Sequence, residues 1–387
     1  MNRFRFSRRH FVLAGATAAL AGCQVVPNTS APAPRAPVPE ETPSAEPQLP
    51  TDETRHRVAL LVPQSGANAS VGQSIANATT MALLDTNADN LRITTYDTAG
   101  GAQEAARRAI ADGNKLILGP LLRDNVGAVA AIAQSADVPV ISFSNDTSVA
   151  GGNVFLMGHI PEQSIQRSVQ YASNQGATRF SAIIPNGDYG DRAEAAFQQS
   201  VRSVGGDVAS LENYARSNTS IVSAAQRVQA RGDFDAVLIA DSPALAARAA
   251  REISGRGLPS QIIGTELWSG ESAVTRENAF DGAIFSAVSD QMYEQFRSSY
   301  EQRFGSNPSN VARLGYDAVL LTLRISNDWR VGRDFPVRAL RDSDGFLGLD
   351  GAFRFGSDGV AQRAMEVRKV QNGRVVVVSP APKRFAD

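Results

Sequence analysis

Residues 115–144 read KLILGPLLRDNVGAVAAIAQSADVPVISFS, and this stretch decides the fold. Residues 116–118 are a short apolar run closed by Gly119-Pro120, a turn signal. Val126, Val129, Ala130 and Ala133 then recur at helical spacing. Asp124 or Asn125 is placed to cap that helix by accepting a bond from an orphan backbone N–H. Residues 138–141, Val-Pro-Val-Ile, make a second buried strand, its proline suited to a strand start. Strand, helix and strand in this order form one right-handed βαβ unit. Such units present ligand-facing loops at the carboxyl ends of their strands, here residues 119–125 and 142–147.

The same alternation extends both ways. Upstream, residues 57–63 read as a buried strand, 73–84 as a helix after a loop rich in Ser, Gly and Asn, 91–97 as an alternating strand and 103–112 as a helix. Beyond His159 the series begins again. Helices over 163–175, 191–204, 221–230 and 243–254, the last led in by Ser242-Pro243, alternate with strands over 179–184, 207–214, 236–240, 261–264 and 282–288. Helices over 292–304 and 310–329, a hairpin over 351–359 and strands over 362–371 and 374–378 close the chain. Sustained strand–helix alternation predicts an α/β protein of two doubly wound, Rossmann-like lobes.

The chain has 387 residues, enough for two ordinary domains, and a formal net charge of −1. Residues 1–22 carry four arginines and no acidic residue, so the remainder is mildly acidic at about −5. Nucleic acid is not expected as a partner, because phosphate binding needs clustered basic residues. The only lysines are Lys115, Lys369 and Lys383, and none follows a glycine as in a phosphate-cradling P-loop.

The first residues read as an address. Four arginines precede an uncharged run of small and apolar residues, 11–22, too short to span a bilayer stably. It ends Leu20-Ala21-Gly22-Cys23, which resembles a bacterial lipobox, in which the cysteine is lipidated and becomes the new first residue. Cys23 is the only cysteine of the chain, as suits an oxidising compartment. The alternative is a small residue at an ordinary cleavage site. Ser7-Arg8-Arg9-His10-Phe11 also resembles a twin-arginine export signal, with a Sec signal as the other reading. Gln24, in place of an aspartate, implies the inner leaflet of the outer membrane for such a lipoprotein, with membrane contact through the lipid alone. Residues 24–55 hold eight prolines and favour an extended linker that could reach on the order of 100 Å.

Six short motifs resemble the type I periplasmic-binding fold in its Leu/Ile/Val-binding branch. In chain order they are Pro63-Gln64-Ser65-Gly66 with Gly72, Leu118-Gly119-Pro120, Val138-Pro139-Val140-Ile141-Ser142, Asp188-Tyr189-Gly190, Gly315-Tyr316-Asp317-Ala318, and the hairpin from Phe353 to Gly359. The resemblance spans roughly residues 56–380. It implies two lobes crossed three times by the chain, with a cleft between them that closes on a ligand. Lobe 1 is expected over about 56–160 and 289–345, and lobe 2 over about 161–288 and 346–380.

In receptors of that branch, hydroxyl residues on one lobe hold a ligand carboxylate, and a tyrosine and a glutamate on the other complete the site. This chain keeps Tyr189 and has Glu266 near the amine-binding position. The carboxylate side carries Arg123, Asn145 and Asp146. Arg123 could clamp a carboxylate bidentately, whereas Asp146 would repel one; both could equally be solvated loop residues, with Asp146 a cap. Ser65, Ser142 and Ser144 are further cleft candidates. Trp268 could stack on a ligand or pack in the core.

No metal site, cofactor or catalytic constellation is expected. The chain lacks His-Glu-x-x-His, a Gly-x-Ser-x-Gly elbow and a dinucleotide glycine fingerprint. Its three histidines, His10, His56 and His159, lie too far apart in role and place for a triad; His159 reads as a hinge or packing residue. A lipid-anchored fold of this type on a proline-rich stalk resembles the lipoprotein activators of penicillin-binding proteins. That subgroup implies a non-catalytic regulator that touches a bifunctional murein synthase in peptidoglycan synthesis. The competing expectation is a tethered receptor for an amino acid or small peptide, serving ABC transport or sensing.

Overall fold

The computed structural model describes residues 54–216, 218–255 and 260–385, so the expectations for the signal sequence, Cys23 and most of the linker lie outside the described residues. The chain begins with β1 (His56–Val62), α1 (Ala69–Asp85), β2 (Leu91–Asp97), α2 (Ala102–Ala111), β3 (Leu116–Leu118), α3 (Arg123–Gln134), β4 (Val140–Ser142) and β5 (Val154–Leu156). It continues with α4 (Pro161–Asn174), β6 (Arg179–Pro185), α5 (Asp188–Ser203), β7 (Asp207–Tyr214), α6 (Asn218–Arg231), β8 (Ala236–Ile239), α7 (Pro243–Ser254), β9 (Gln261–Ile263), a single turn α8 (Ala273–Arg276) and β10 (Ile284–Val288). Then come α9 (Tyr293–Phe304), α10 (Ala312–Ser326), β11 (Phe346–Gly348), β12 (Gly351–Phe355), β13 (Ala361–Arg363), β14 (Met365–Gln371) and β15 (Arg374–Ser379).

The first five strands form a parallel sheet in the order β2-β1-β3-β4-β5. The deciding stretch is its centre: β3 and β4 pair through Ile117 with Val140 and Leu118 with Ile141, with all four side chains buried. A second sheet of seven strands runs β15-β14-β10-β9-β8-β6-β7, parallel except where β14 and β15 join antiparallel. This is the type I periplasmic-binding architecture: two α/β lobes, each with helices against its own sheet.

Several details depart from the sequence reading. α3 starts at Arg123 behind Leu122, with no side-chain cap. Asp124 instead sits in the first turn, where its charge meets the positive end of the helix dipole. β5 was not expected, because three apolar residues are too few to show a period; it forms because β4 offers it an open parallel edge. The strand expected over 362–371 is two strands, β13 and β14, broken at Ala364, where the chain leaves one sheet for another.

The boundary expected at residue 346 also moves. The ribbon β11–β12–β13 sends Phe346, Phe353, Phe355 and Ala361 into the first lobe's core, alongside Leu60, Leu118, Phe155 and Leu314. Val367 and Val370, a few residues later, belong to the second lobe's cores. The three crossings between lobes therefore fall near residues 160–161, 288–293 and 363–365. A hairpin of glycine and aromatics reads locally as the start of a new unit, but its aromatic faces find their partners behind it.

α1 begins four residues and α5 three residues earlier than their apolar periodicity indicates, and for one reason. Gly72 in α1 and Gly190 in α5 lie so close to the end of the preceding strand that a Cβ would sit 1.7 Å from the Pro63 carbonyl oxygen and 1.6 Å from that of Pro185. A helix can start there only with glycine at the contact. Both lobes thus use the same device to press a helix onto the strand that leads into it.

α1 and α10 make a third contact of this kind: a Cβ on Gly315 would meet the Ile75 carbonyl oxygen at 2.6 Å and Thr79 Oγ1 at 2.8 Å. Gly127 in α3, by contrast, has open space around it. Gly315→Ala is expected to lose about 1–3 kcal/mol of unfolding free energy, while Gly127→Ala is expected to gain about 0.5–1 kcal/mol. Urea unfolding of the two variants checks both signs.

Candidate functional site

Loops at the carboxyl ends of the strands of both sheets meet around one cavity of about 690 Å³. Lobe 1 contributes the β3–α3 and post-β4 loops and the start of α10, through residues such as Leu122, Phe143 and Val311. Lobe 2 contributes the start of α7 and the segment after β9, including Pro243, Leu267 and Glu271. The volume lies within the range of small-molecule sites.

The residues expected on the carboxylate side are taken up by the chain's own contacts. Arg123 pairs through Nε with Asp146 (3.0 Å) and through Nη1 with Asp188 at the start of α5 (3.1 Å), so it bridges the two lobes. A second bridge runs from Arg192 Nη2 on α5 to the Asn145 carbonyl oxygen, 2.7 Å. Arg192 is held in place by paired bonds to Glu162. Burial opposes ionisation of Asp146, but donors from Ser148 and the guanidinium groups of Arg123 and Arg192 outweigh it and hold the carboxyl below its ordinary value. Asp146 also caps the short turn that follows, accepting from the Ser148 N–H at 2.9 Å.

The serines serve their own loops. Ser142 Oγ donates to the Pro120 carbonyl (2.9 Å) and accepts from the Ser144 N–H, while Ser144 Oγ accepts from the Asp146 N–H. Ser65 donates to Asp97 and does not line the cavity. Ser144 and Asn145 do line it.

On the opposite lobe, Tyr189 Oη lies 3.1 Å from Thr265 Oγ1 and 3.4 Å from Glu266 Oε1. Burial, then the nearby Glu266, raises the tyrosine well above its ordinary value. Glu266 lines the cavity, and its Oε2 is buried without a hydrogen-bond partner. Burial pushes its carboxyl up to about 7, with Glu162 adding to the shift and Tyr189 and Arg192 opposing it. Trp268 is absent from the wall: it is 1% exposed, donates Nε1–H to the Asp241 carbonyl at 3.0 Å and packs on Phe280. It fills the space that Gly264 leaves, since a Cβ there would fall 2.3 Å from the indole.

The sequence reading placed His159 at the hinge but missed the rest of the cleft floor. His159 and Arg313 line the cavity and both meet the wholly buried Asp350: His159 Nε2 hydrogen-bonds Oδ2 at 2.6 Å, and Arg313 Nη1 makes an ion pair with Oδ1 at 2.7 Å. Arg363 lies 3.7 Å from Asp350 and 3.9 Å from Asp317, and donates to the Met157 carbonyl. Burial opposes ionisation of Asp350, but Arg313, His159 and Arg363 together hold it below the usual carboxylate range. Burial and the charge of Asp350 push Asp317 up to about 7. Burial lowers His159, with Arg363 and Arg313 adding to the effect against Asp350. A neutral His159 must therefore donate from Nε2, because an ionised Asp350 only accepts. A signal was available: Arg313 and Asp317 stand four apart in α10 among Leu314, Ala318 and Leu321, charges on an apolar helix stripe.

Two hinged α/β lobes, three crossings and an interlobe cavity define a binding protein of the type I periplasmic fold. The family profile for periplasmic binding proteins matches residues 56–374, and the chain belongs to that family. It is 24% identical over 334 residues to an uncharacterised protein of Rickettsia prowazekii, covering 82% of this chain and 86% of that one. A stretch of 120 residues is 29% identical to the penicillin-binding protein activator LpoA of Serratia proteamaculans, 31% of this chain but only 18% of that protein. Among solved structures, one from Rhodospirillum rubrum assigned to a branched-chain amino acid ABC transporter superposes with a TM-score of 0.75 at 22% identity, covering 84% of this chain and 100% of that one. The C-domain of LpoA from Haemophilus influenzae, a regulator of PBP1A, superposes with a TM-score of 0.67 at 20% identity, covering 83% and 99%.

Asp350→Asn is expected to lower stability by about 3–5 kcal/mol, because it leaves Arg313 buried without its counter-charge; chemical denaturation reads this directly. Glu266 has the opposite sign. Its folded-state value stands above its ordinary 4.5, so ionising it works against folding, a penalty absent below that pH and complete above about 7. Glu266→Gln is therefore expected to leave the melting temperature unchanged at pH 4 and to raise it by a few degrees at pH 8, a difference that calorimetry at the two pH values would resolve.

Proposed function

We propose that this chain is a non-catalytic periplasmic lipoprotein, anchored in the outer membrane through lipidated Cys23, that binds and stimulates a bifunctional penicillin-binding protein. The observation that carries this reading is the cross-lobe bridging at the cleft. Arg123 is matched by Asp146 and Asp188, and Arg192 reaches the Asn145 carbonyl. Ser142, one of the serines that would otherwise be offered to a ligand carboxylate, donates to the Pro120 carbonyl. A receptor for free amino acids needs those groups unengaged; a domain whose outer surface makes the functional contact does not. The likeness to LpoA in both sequence and fold supports the choice of partner, and the proline-rich linker supplies the reach.

One observation favours a second reading, a tethered receptor for an amino acid or small peptide. The cavity is about 690 Å³, and the buried Glu266 Oε2 lacks a donor.

Retention assays separate the two. The full lipidated chain, purified in detergent and immobilised, is expected to retain a bifunctional penicillin-binding protein from solubilised inner membranes of the same cells and to speed its glycan polymerisation. Retention of permease components, or of no synthase, would instead make the receptor the standing conclusion.

A further inference from the structure

We propose that the interlobe cavity selects an organic cation with an apolar body, a primary amine on an aryl or aliphatic skeleton, and disfavours carboxylates. The proposal rests on the second reading above, that the cavity takes a small ligand, and names the class of that ligand.

Five ionisable side chains line the cavity: Arg123, His159, Glu266, Glu271 and Arg313. The positive ones are already matched. Arg123 faces Asp146 and Asp188, and Arg313 faces Asp350 at 2.7 Å. His159 is held by the same Asp350. The carboxylates are not matched in the same way. Among the described residues, no cation or side-chain donor is bonded to Glu271, which is exposed on the lobe 2 wall. Glu266 has one oxygen without a donor, and its carboxyl otherwise meets only its own backbone N–H and, at 3.4 Å, Tyr189. With both lining arginines neutralised, the wall presents a net negative potential to whatever enters.

Most of the rest of the wall is apolar, interrupted by Ser144, Asn145, Ser242, Ser269 and Asn310. Val71, Leu122, Phe143 and Val311 face it from lobe 1, and Leu267 and Met365 from lobe 2. Leu122 and Leu267 belong to the small set of large apolar side chains left exposed, and they stand on opposite lobes. A ligand body lying between them would cover both. Its ammonium would pair with Glu271, while Glu266 adds negative potential from the same wall. A carboxylate in the same place would meet Glu271 and Glu266 with no unmatched cation to receive it, and such like-charge juxtaposition works against binding.

Benzylamine, benzyl alcohol, benzoate and phenylalanine share one aromatic body and differ in charge. Calorimetric titration of each into the full-length protein at pH 7.5, with melting shifts as a second readout, tests the selection. Benzylamine is expected to bind and to raise the melting temperature, with benzyl alcohol weaker and benzoate silent. Glu271→Gln is expected to weaken benzylamine about fivefold to tenfold while leaving the unliganded melting temperature unchanged, as its exposure implies. Equal binding of benzylamine and benzyl alcohol, or of the wild type and Glu271→Gln, would overturn the charge selection. Binding of benzoate or phenylalanine in preference to benzylamine would overturn it too, yet leave the receptor reading standing. If none of the four binds and a panel of amino acids is also silent, both the selection and the receptor reading fail.

Discussion

The structure depends on a buried group of charges where the chain passes between its lobes. Asp350 is held by Arg313, His159 and Arg363, and none of these side chains is more than partly exposed. His159 stands just before the first crossing and Arg363 just before the third. Arg368, on β14, serves the second: it pairs with Asp290 at 2.9 Å and donates to the Val288 carbonyl. Buried charges of this sort contribute little net stability compared with apolar residues of the same shape, but leaving one without its partner is severe. Their effect is to fix geometry. Each crossing carries one charged or polar side chain, His159, Arg368 or Arg363, facing a carboxylate, and these pairings fix how the hinge rests.

That hinge explains why the cleft looks as it does. With the floor fixed by His159 and Arg313, the rims of the two lobes come within reach of each other, and Arg123 and Arg192 span the gap. Groups that would meet a ligand carboxylate meet the protein instead. The lobe 2 wall is different, since Glu266 and Glu271 have no such partners across the cleft. The cavity is therefore asymmetric in charge, and the asymmetry follows from which rim residues happen to reach across.

The fold was legible because its evidence is local. The 115–144 stretch switches from apolar run to helical period and back within thirty residues, and two lobes of such units leave few other architectures. Errors came where tertiary contact overrides local pattern. α1 and α5 start early because glycine lets a helix press on a strand end, which looks like loop composition in sequence. The aromatic ribbon after residue 346 belongs with a core laid down nearly three hundred residues earlier. In the site, Tyr189 and Glu266 could be picked by position, but the engagement of Arg123 by Asp188, 65 residues away, has no signature in either segment. Trp268 was open between a ligand contact and core packing; the missing Cβ of Gly264 shows why it turns inward.

The two kinds of charge contact have different consequences for motion. Arg123 is about half exposed and Asp188 mostly so, and a pair of that kind contributes about 0–1 kcal/mol. The Arg192 bond to the Asn145 carbonyl is also exposed. Both rim bridges together therefore contribute no more than a few kcal/mol to holding the lobes in this arrangement. A differential affinity of that size is enough to offset them. The buried cluster, in contrast, stays matched as long as the crossings keep their path. The fold therefore sets a stiff hinge under a weakly latched rim.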